Sequence, residues 1–495
     1  MVRSFRRVPA SLAVLSLICM CFSGGAGAAD EQSSSLALSS SDAQLVTCFE
    51  WAKGQALKYV RAGDPVGLWY EAALPQREAF CMRDVSHQAA GAHALGLAAH
   101  TRSMLRKFAV NISESKDWCS YWEINRYDQP APVDYTNDKE FWYNLPANFD
   151  VLDACYRMYL WTHDRTYLED PVFVAFYEHT LIDYVERWEL SLDKVLARPR
   201  FMNRDSFDRR NSHQSCRGIP SYHEGRPGMT RLGVDQLAFQ AAAYRSYAQI
   251  LRLQEKSDGA TICLQKAMEV MQFIEEHFWD EEQNRFNELL LTDGQYITGG
   301  GMQVYLLYND AVVWPEKIDA ALRSIIEGQR INIEMGSHYP EIFYRYGAHD
   351  DAYRWLLQLS DPGTRRREYP EVSFAVVGAI VGGLMGLEPS ETQGQIATLP
   401  RLTEATSWAQ ISGVPVHGNV VDVRHNGTDE TALTNRSGPT LTWTAQFPGA
   451  TGQLAADDRP LETHRGMDRA GRPVVWGLVT ISPGATRTIT RAPAN

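Results

Sequence analysis

Apolar residues recur at intervals of three and four from about Ser41 to Leu387, the period of amphipathic helices. The pattern predicts helices near residues 42–61, 85–107, 147–163, 171–191, 232–255, 259–279, 299–308, 315–328, 338–346, 348–359 and 371–387. A further helix is expected between 108 and 145. Gly, Pro and Asp punctuate the series, as at Gly63-Asp64-Pro65 and Asp361-Pro362-Gly363. The stretches near 85–107, 232–255 and 371–387 are rich in Ala, Gly and aliphatic residues, which suits inner helices packed on every side. Those at 171–191 and 259–279 carry charged faces and suit an outer layer. The expectation is a ring of helical hairpins over 42–389, closed on the outside by the helix near 42–61.

After Glu388-Pro389 the period changes from helical to alternating. Val414 to Arg424, Thr440 to Ala445 and Val474 to Ile481 alternate apolar and polar residues between Gly, Pro and Asp turns. A small C-terminal antiparallel β-sandwich is expected over 390–495. Trp408, Trp443 and Trp476 there are expected to fill the sandwich or pack on the helices rather than bind ligand.

The amino terminus changes the picture of where the chain works. Arg3, Arg6 and Arg7 precede an apolar run from Leu12 to Phe22 and the small residues Ala26-Gly27-Ala28. The pattern predicts a secretory leader over 1–28, followed by a Ser-rich, flexible lead-in over 29–41. A secreted or periplasmic location is expected. No later apolar run is long enough to span a bilayer. The net charge of −12 argues against nucleic acid as a partner. Cys48, Cys81, Cys119, Cys155, Cys216 and Cys263 remain after the leader. Their wide spacing is compatible with disulfides or with buried thiols. His87, His93 and His100 lack the i, i+4 spacing of a helical zinc site, and neither a metal nor a cofactor is expected.

Chemistry gathers just ahead of the expected inner helices. Residues 76–84 supply Arg77, Glu78 and Asp84, and 142–150 supply Trp142, Asn144, Asn148 and Asp150. Residues 221–235 supply Tyr222, His223, Glu224, Arg226 and Asp235. Ser337-His338-Tyr339-Pro340-Glu341 and Arg367-Glu368-Tyr369-Pro370-Glu371 repeat a Tyr-Pro-Glu motif. In a ring of hairpins these loops share one mouth. An acidic residue at a helix start is commonly a cap. Caps alone do not account for the Trp, Tyr, His and Arg beside these carboxylates. The aromatic stretch from Trp118 to Asn148, with Trp122 and Trp142, is expected to wall a subsite or to pack on the barrel. A mouth so lined suits a carbohydrate, which needs hydrogen bonds at its edges and flat apolar surfaces at its faces.

The ring, the run Gly233 to Gln240 and the ending Gly383-Leu-Met-Gly-Leu-Glu-Pro389 resemble the six-hairpin (α/α)6 glycosidases. Pro75-Gln76-Arg77-Glu78 is similar to a motif of bacterial α-L-rhamnosidases, although Ala73 and Leu74 replace its leading Asp-Cys. The resemblance implies a mainly α fold, an (α/α)6 toroid followed by the β-domain, and a two-carboxylate glycoside hydrolase. It implies Glu371 as base, with Glu224, Glu78 and Asp84 competing for the acid. Arg77, Trp122, Trp142, Asn148, Tyr222, His223, Arg226, Asp235, His338, Tyr339 and Glu341 are the expected sugar contacts. Rhamnosyl or uronic-acid-containing glycans are the expected substrates. Two alternatives stay open. One is a polysaccharide lyase using a Tyr or His base at uronic acid linkages. The other is a non-catalytic carbohydrate-binding protein.

Overall fold

The computed structural model describes residues 34–198, 216–224, 229–299, 301–328 and 332–492. The leader expected at 1–28 and the expected sugar contact Arg226 lie outside them. Helices occupy the first three quarters of the chain, and two β-sheets follow.

Six helices carry the least exposed surface: Met82–Ala94, Pro146–Thr162, Val234–Leu253, Gln303–Tyr308, Tyr339–Arg345, and Pro370–Gly378 with its continuation Ala379–Leu384. Each packs on the next in this order, and the last packs on the first. Most of their residues are buried on all sides, as in Val234–Leu253, where Val234 to Tyr244 are all buried. Proline at the start of Pro146–Thr162 and Pro370–Gly378 costs no hydrogen bond, because the first turn has no acceptor for it. Gly91 makes the closing contact possible. A Cβ there would lie 2.0 Å from the carbonyl oxygen of Phe374. A second layer of helices packs outside, including Ala98–Val110, Ser257–Phe278, His349–Ser360 and Ala43–Leu57. Ala43–Leu57 lies against both Pro370–Gly378 and His349–Ser360, so the first helix of the chain joins the last.

Three expectations need correction. The helix expected over 85–107 is two helices, Met82–Ala94 and Ala98–Val110, broken at Gly96 with φ +87°. The helix expected between 108 and 145 is replaced by a short 3₁₀ turn, Glu114–Lys116, and short strands. Pro130, Pro132 and the left-handed Asp128 break a helical path there, and Glu123–Asn125 instead pairs with Ala79–Cys81. The lead-in is ordered at Ala37–Ser40, which forms an edge strand against Trp408–Val416.

The β-region holds a seven-stranded and a five-stranded sheet. Asn419–Asn426 and Leu441–Pro448 alternate strictly between buried and half-buried residues, the sign of one face on a core. The sheets are not purely antiparallel, because Gln395–Thr398 pairs in parallel with Leu441–Pro448. Trp443 is fully buried and donates to Thr398, while Trp408 lies under the Arg424 guanidinium, half-exposed. Histidines tie the sheets to the helices. His93 meets Pro415 O at 2.8 Å, His417 meets Leu160 O at 2.6 Å, and His425 meets Met385 O at 3.0 Å. The six cysteines of the described chain are free thiols, five of them buried. No helix among the described residues is long and apolar enough to cross a membrane.

Candidate active site

The amino-terminal ends of the inner helices bring four polar side chains into one buried cluster. His87 sits one turn after Asp84 on Met82–Ala94, and its Nδ1 lies 3.2 Å from Glu371 Oε1. Its Nε2 lies 2.9 Å from Asp150 Oδ2, off the hydrogen-bonding direction. His338 Nε2 is 3.6 Å from the same Glu371 oxygen, and the two imidazoles meet edge to face at 4.4 Å. Glu371 is 1% exposed. Its second oxygen, His338 Nε2 and Asp150 Oδ1 have no hydrogen-bond partner within the protein. Buried polar atoms without partners are costly, so such a cluster marks a place built to meet a ligand.

Aromatic rings wall the cluster. Tyr222, Phe239, Tyr305 and Tyr308 surround His87 at centroid distances between 5.3 and 6.2 Å. The Tyr222 hydroxyl donates to Asp150 Oδ2 at 3.0 Å. Arg83 lies over the rings of Tyr222 and Trp122 and binds Asp84 at 3.3 Å and Glu334 at 3.1 Å. Arg157, about two turns after Asp150, holds Asp153 at 2.8 Å and donates to the Tyr308 hydroxyl.

Burial sets the protonation states. Desolvation, with the Glu371 charge nearby, pushes the Asp84 carboxyl up to about 7 against the pull of Arg83. Desolvation, with Glu334, pushes Glu224 up to about 7 against Arg83 and Arg77. For His87 burial works downward, but Asp150 and Glu371 outweigh it and raise the imidazole to about 9. His338 is driven well below its ordinary value by burial and by the His87 and Arg83 charges. Asp150 and Glu371 thus favour the cationic form of His87, while burial and the nearby positive charges favour the neutral form of His338.

The expected site residues divide into groups. Glu371, His338, Tyr222, Trp122 and Asp84 meet in or beside the cluster. Glu224 is half-buried on the loop after Tyr222, within reach of the charges of Arg83, Arg77 and Glu334. Asp235 supports that loop by accepting from Ser221 Oγ at 2.9 Å and the Tyr222 N–H at 2.5 Å. The His223 N–H donates to Ser221. Arg77 turns inward to Glu123 at 2.8 Å and Asp134 at 3.4 Å.

Glu78 turns the other way. It sits at φ +49° with half its side chain exposed and pairs with Arg126. Trp142 and Asn148 are buried and bonded within the protein, Trp142 to Asn144 and Asn148 to Tyr143 and Trp118. Tyr339 packs against Phe343 and Trp355. Glu341 pairs with Arg345 and lines a separate cavity of about 420 Å³, further along the inner helices, with Asp153, Arg157, Arg245 and Arg401.

His87, Arg157 and Glu334 are the residues that sequence reasoning did not bring to the site. A signal was present. Asp84 and His87, and Asp150, Asp153 and Arg157, recur at helical spacing on helices whose residues are nearly all buried, where polar side chains are costly. His87, His338 and Glu371 also offer three ligand atoms within 4.8 Å of one another, a grouping that a metal ion could share.

No family model and no curated protein matches this chain. Solved structures do match it in fold. An α-L-rhamnosidase from Dictyoglumus thermophilum superposes with a TM-score of 0.62 at 12% identity, over 92% of this chain and 50% of that one. A GH78 family rhamnosidase of Bacillus sp. GL1 gives 0.58 at 13% identity, over 81% of this chain and 40% of that one. A putative kojibiose phosphorylase from the human microbiome gives 0.51 at 10% identity, over 92% and 68%. The chain therefore has a fold shared by rhamnosidases and related carbohydrate enzymes, and it spans half or less of the length of the two rhamnosidases. At these identities the likeness concerns the fold, and the chemistry rests on the site.

Proposed function

We propose that this chain is an exported glycoside hydrolase built on a six-hairpin (α/α)6 toroid. The closed order of packing among the six inner helices supports the toroid, and the leader pattern supports export. The observation that carries the activity is the burial of Glu371 beside His87 and His338, with Asp84 against the cluster and Glu224 on the loop after Tyr222, both carboxyls raised to about 7. Two carboxyl groups in different protonation states are what glycoside cleavage requires.

In this reading Glu371 is the base that activates water. Cationic His87 holds the carboxylate in place, and Asp150 balances the imidazolium charge. Glu224 is the acid: its carboxyl keeps its proton near neutrality and is half-buried on the loop after Tyr222. Asp84 and Arg83 bind sugar hydroxyls, and Trp122 offers a ring face. Rhamnosyl or uronic-acid-containing glycans remain the substrate class to test first. A lyase with Tyr222 as base is the weaker reading, because burial and the Asp150 charge hold the Tyr222 hydroxyl protonated and donating rather than free to take a proton.

Product analysis on a panel of plant and bacterial polysaccharides tests the proposal. Reducing ends without near-ultraviolet absorbance are expected, whereas an absorbing unsaturated product would establish the lyase. Glu371→Gln should lower turnover by about 100- to 10,000-fold, the usual worth of a general base. A variant turning over at the wild-type rate would remove Glu371 from the mechanism.

A further inference from the structure

Three heteroatoms around Glu371 have the spacing of a coordination shell. A tetrahedral ion bonded at about 2.0–2.1 Å holds its ligand atoms roughly 3.3 Å apart. Glu371 Oε1 lies 3.2 Å from His87 Nδ1 and 3.6 Å from His338 Nε2, and all three ligand atoms fall within 4.8 Å of one another. The donor set, two imidazole nitrogens and one carboxylate, is the borderline set that zinc and its neighbours prefer.

Two further observations point to a ligand here rather than to ordinary packing. His338 Nε2 and Glu371 Oε2 are buried without hydrogen-bond partners, and both residues are under 5% exposed. The far nitrogen of His87 faces a carboxylate, Asp150 Oδ2 at 2.9 Å. A carboxylate at that position is the kind of outer partner that orients a metal-binding histidine, although here the pair is off the hydrogen-bonding direction. The surrounding charge is also favourable. Arg83 and Arg157 stand near, but Asp84, Asp150, Asp153, Glu334 and Glu371 outnumber them.

We propose that His87, His338 and Glu371 bind one divalent transition ion of the zinc class, and that its binding withdraws Glu371 from catalysis. The inhibitory half rests on the reading of Glu371 as base; the binding half does not. Coordination through Oε1 draws electron density from the whole carboxylate, so Oε2 takes a proton from water less readily. Coordination by His87 Nδ1 releases the proton it shares with Glu371, so one bond to hydrogen is exchanged for one to the ion. The metal-free protein is then the active form, and zinc is a reversible switch on it.

The test uses the full chain, stripped with chelator and titrated with Zn²⁺ by calorimetry, with metal content measured after desalting. One ion per chain is expected. His338→Ala should reduce binding to background, and Asp150→Asn should weaken it by about 10- to 100-fold. In the wild type, loss of glycan turnover should follow the same saturation curve as binding. Absence of stoichiometric Zn²⁺, or wild-type affinity in His338→Ala, would overturn the site. Should His338→Ala not fold, Co²⁺ added to the wild type decides: visible bands of a low-symmetry nitrogen and oxygen shell support it, and a hexa-aqua spectrum overturns it. Stoichiometric zinc without inhibition would overturn the switch alone. Unimpaired turnover by Glu371→Gln would instead overturn the hydrolase mechanism and leave the metal measurement standing.

Discussion

Gly91→Ala should destabilise this protein, although the same change at an exposed helical site does the opposite. Alanine is favoured over glycine inside a helix by about 0.8–1 kcal/mol. Gly91 lies within Met82–Ala94, so propensity alone predicts a gain. The structure reverses the sign. A Cβ at Gly91 would stand 2.0 Å from the Phe374 carbonyl oxygen and 2.7 Å from its carbon, where ordinary contact begins at 3.4 Å. The obstacle is backbone of the facing helix and cannot swing aside as a side-chain tip can. Either the first and last inner helices separate by more than an ångström, or the helix that carries Glu371 three residues earlier shifts. Overpacking of this kind costs about 1–3 kcal/mol, and a rigid backbone obstacle places the net loss near the upper end. Gly54 supplies the control: it is exposed in Ala43–Leu57, and a Cβ there meets nothing within 4 Å. Urea midpoints of Gly91→Ala, Gly54→Ala and the wild type decide the matter. Gly54→Ala should move the midpoint up slightly and Gly91→Ala well down. Movement of both in the same direction would refute the claim that packing of Met82–Ala94 on Pro370–Gly378 depends on backbone approach at Gly91.

The remaining predictions concern protons. The Glu224 carboxyl is raised to about 7, and an acid catalyst must carry its proton, so turnover should fall as pH rises above about 7. Glu224→Gln should abolish that limb together with most of the activity, and a pH–rate profile of wild type and variant checks both. Asp235 is raised from 3.8 to about 7 by burial, against the hydrogen bonds from Tyr222 and Ser221. Its folded-state value exceeds the unfolded one, so its contribution to stability is full below about 4 and is lost as pH rises through 7. Urea midpoints should decline over that window, and Asp235→Asn should flatten the decline; an unchanged slope in the variant would show that Asp235 is not its source.

The helical period and the change of texture at Glu388 were legible because each residue reports its own burial. The Tyr-Pro-Glu motif drew attention to Glu371 for a local reason, a proline that opens a helix. What stayed hidden depended on partners far along the chain. The sequence sets His87 near His93 and His100, whereas its partner Glu371 is 284 positions away. Glu78 and Arg77 are adjacent, yet the left-handed turn at Glu78 sends one outward to Arg126 and the other inward to Glu123. Composition does not encode that choice of direction. Ala37–Ser40 looked like a linker because a four-residue edge strand has no pattern of its own until its partner is present.

That edge strand bears on how the protein is made. Ser41 hydrogen-bonds to Trp408 across 367 positions, and Ala43–Leu57 leans on the helix that begins at Pro370. During synthesis the beginning of the chain must therefore wait, unpartnered, until almost all the rest has emerged. Closure is a late event of high contact order, slow by nature and exposed meanwhile to aggregation. A polypeptide delivered unfolded across a membrane loses nothing by this delay, whereas a ribosome-bound intermediate would need a chaperone to shield the Leu45, Phe49 and Ala52 face until its counterpart arrives.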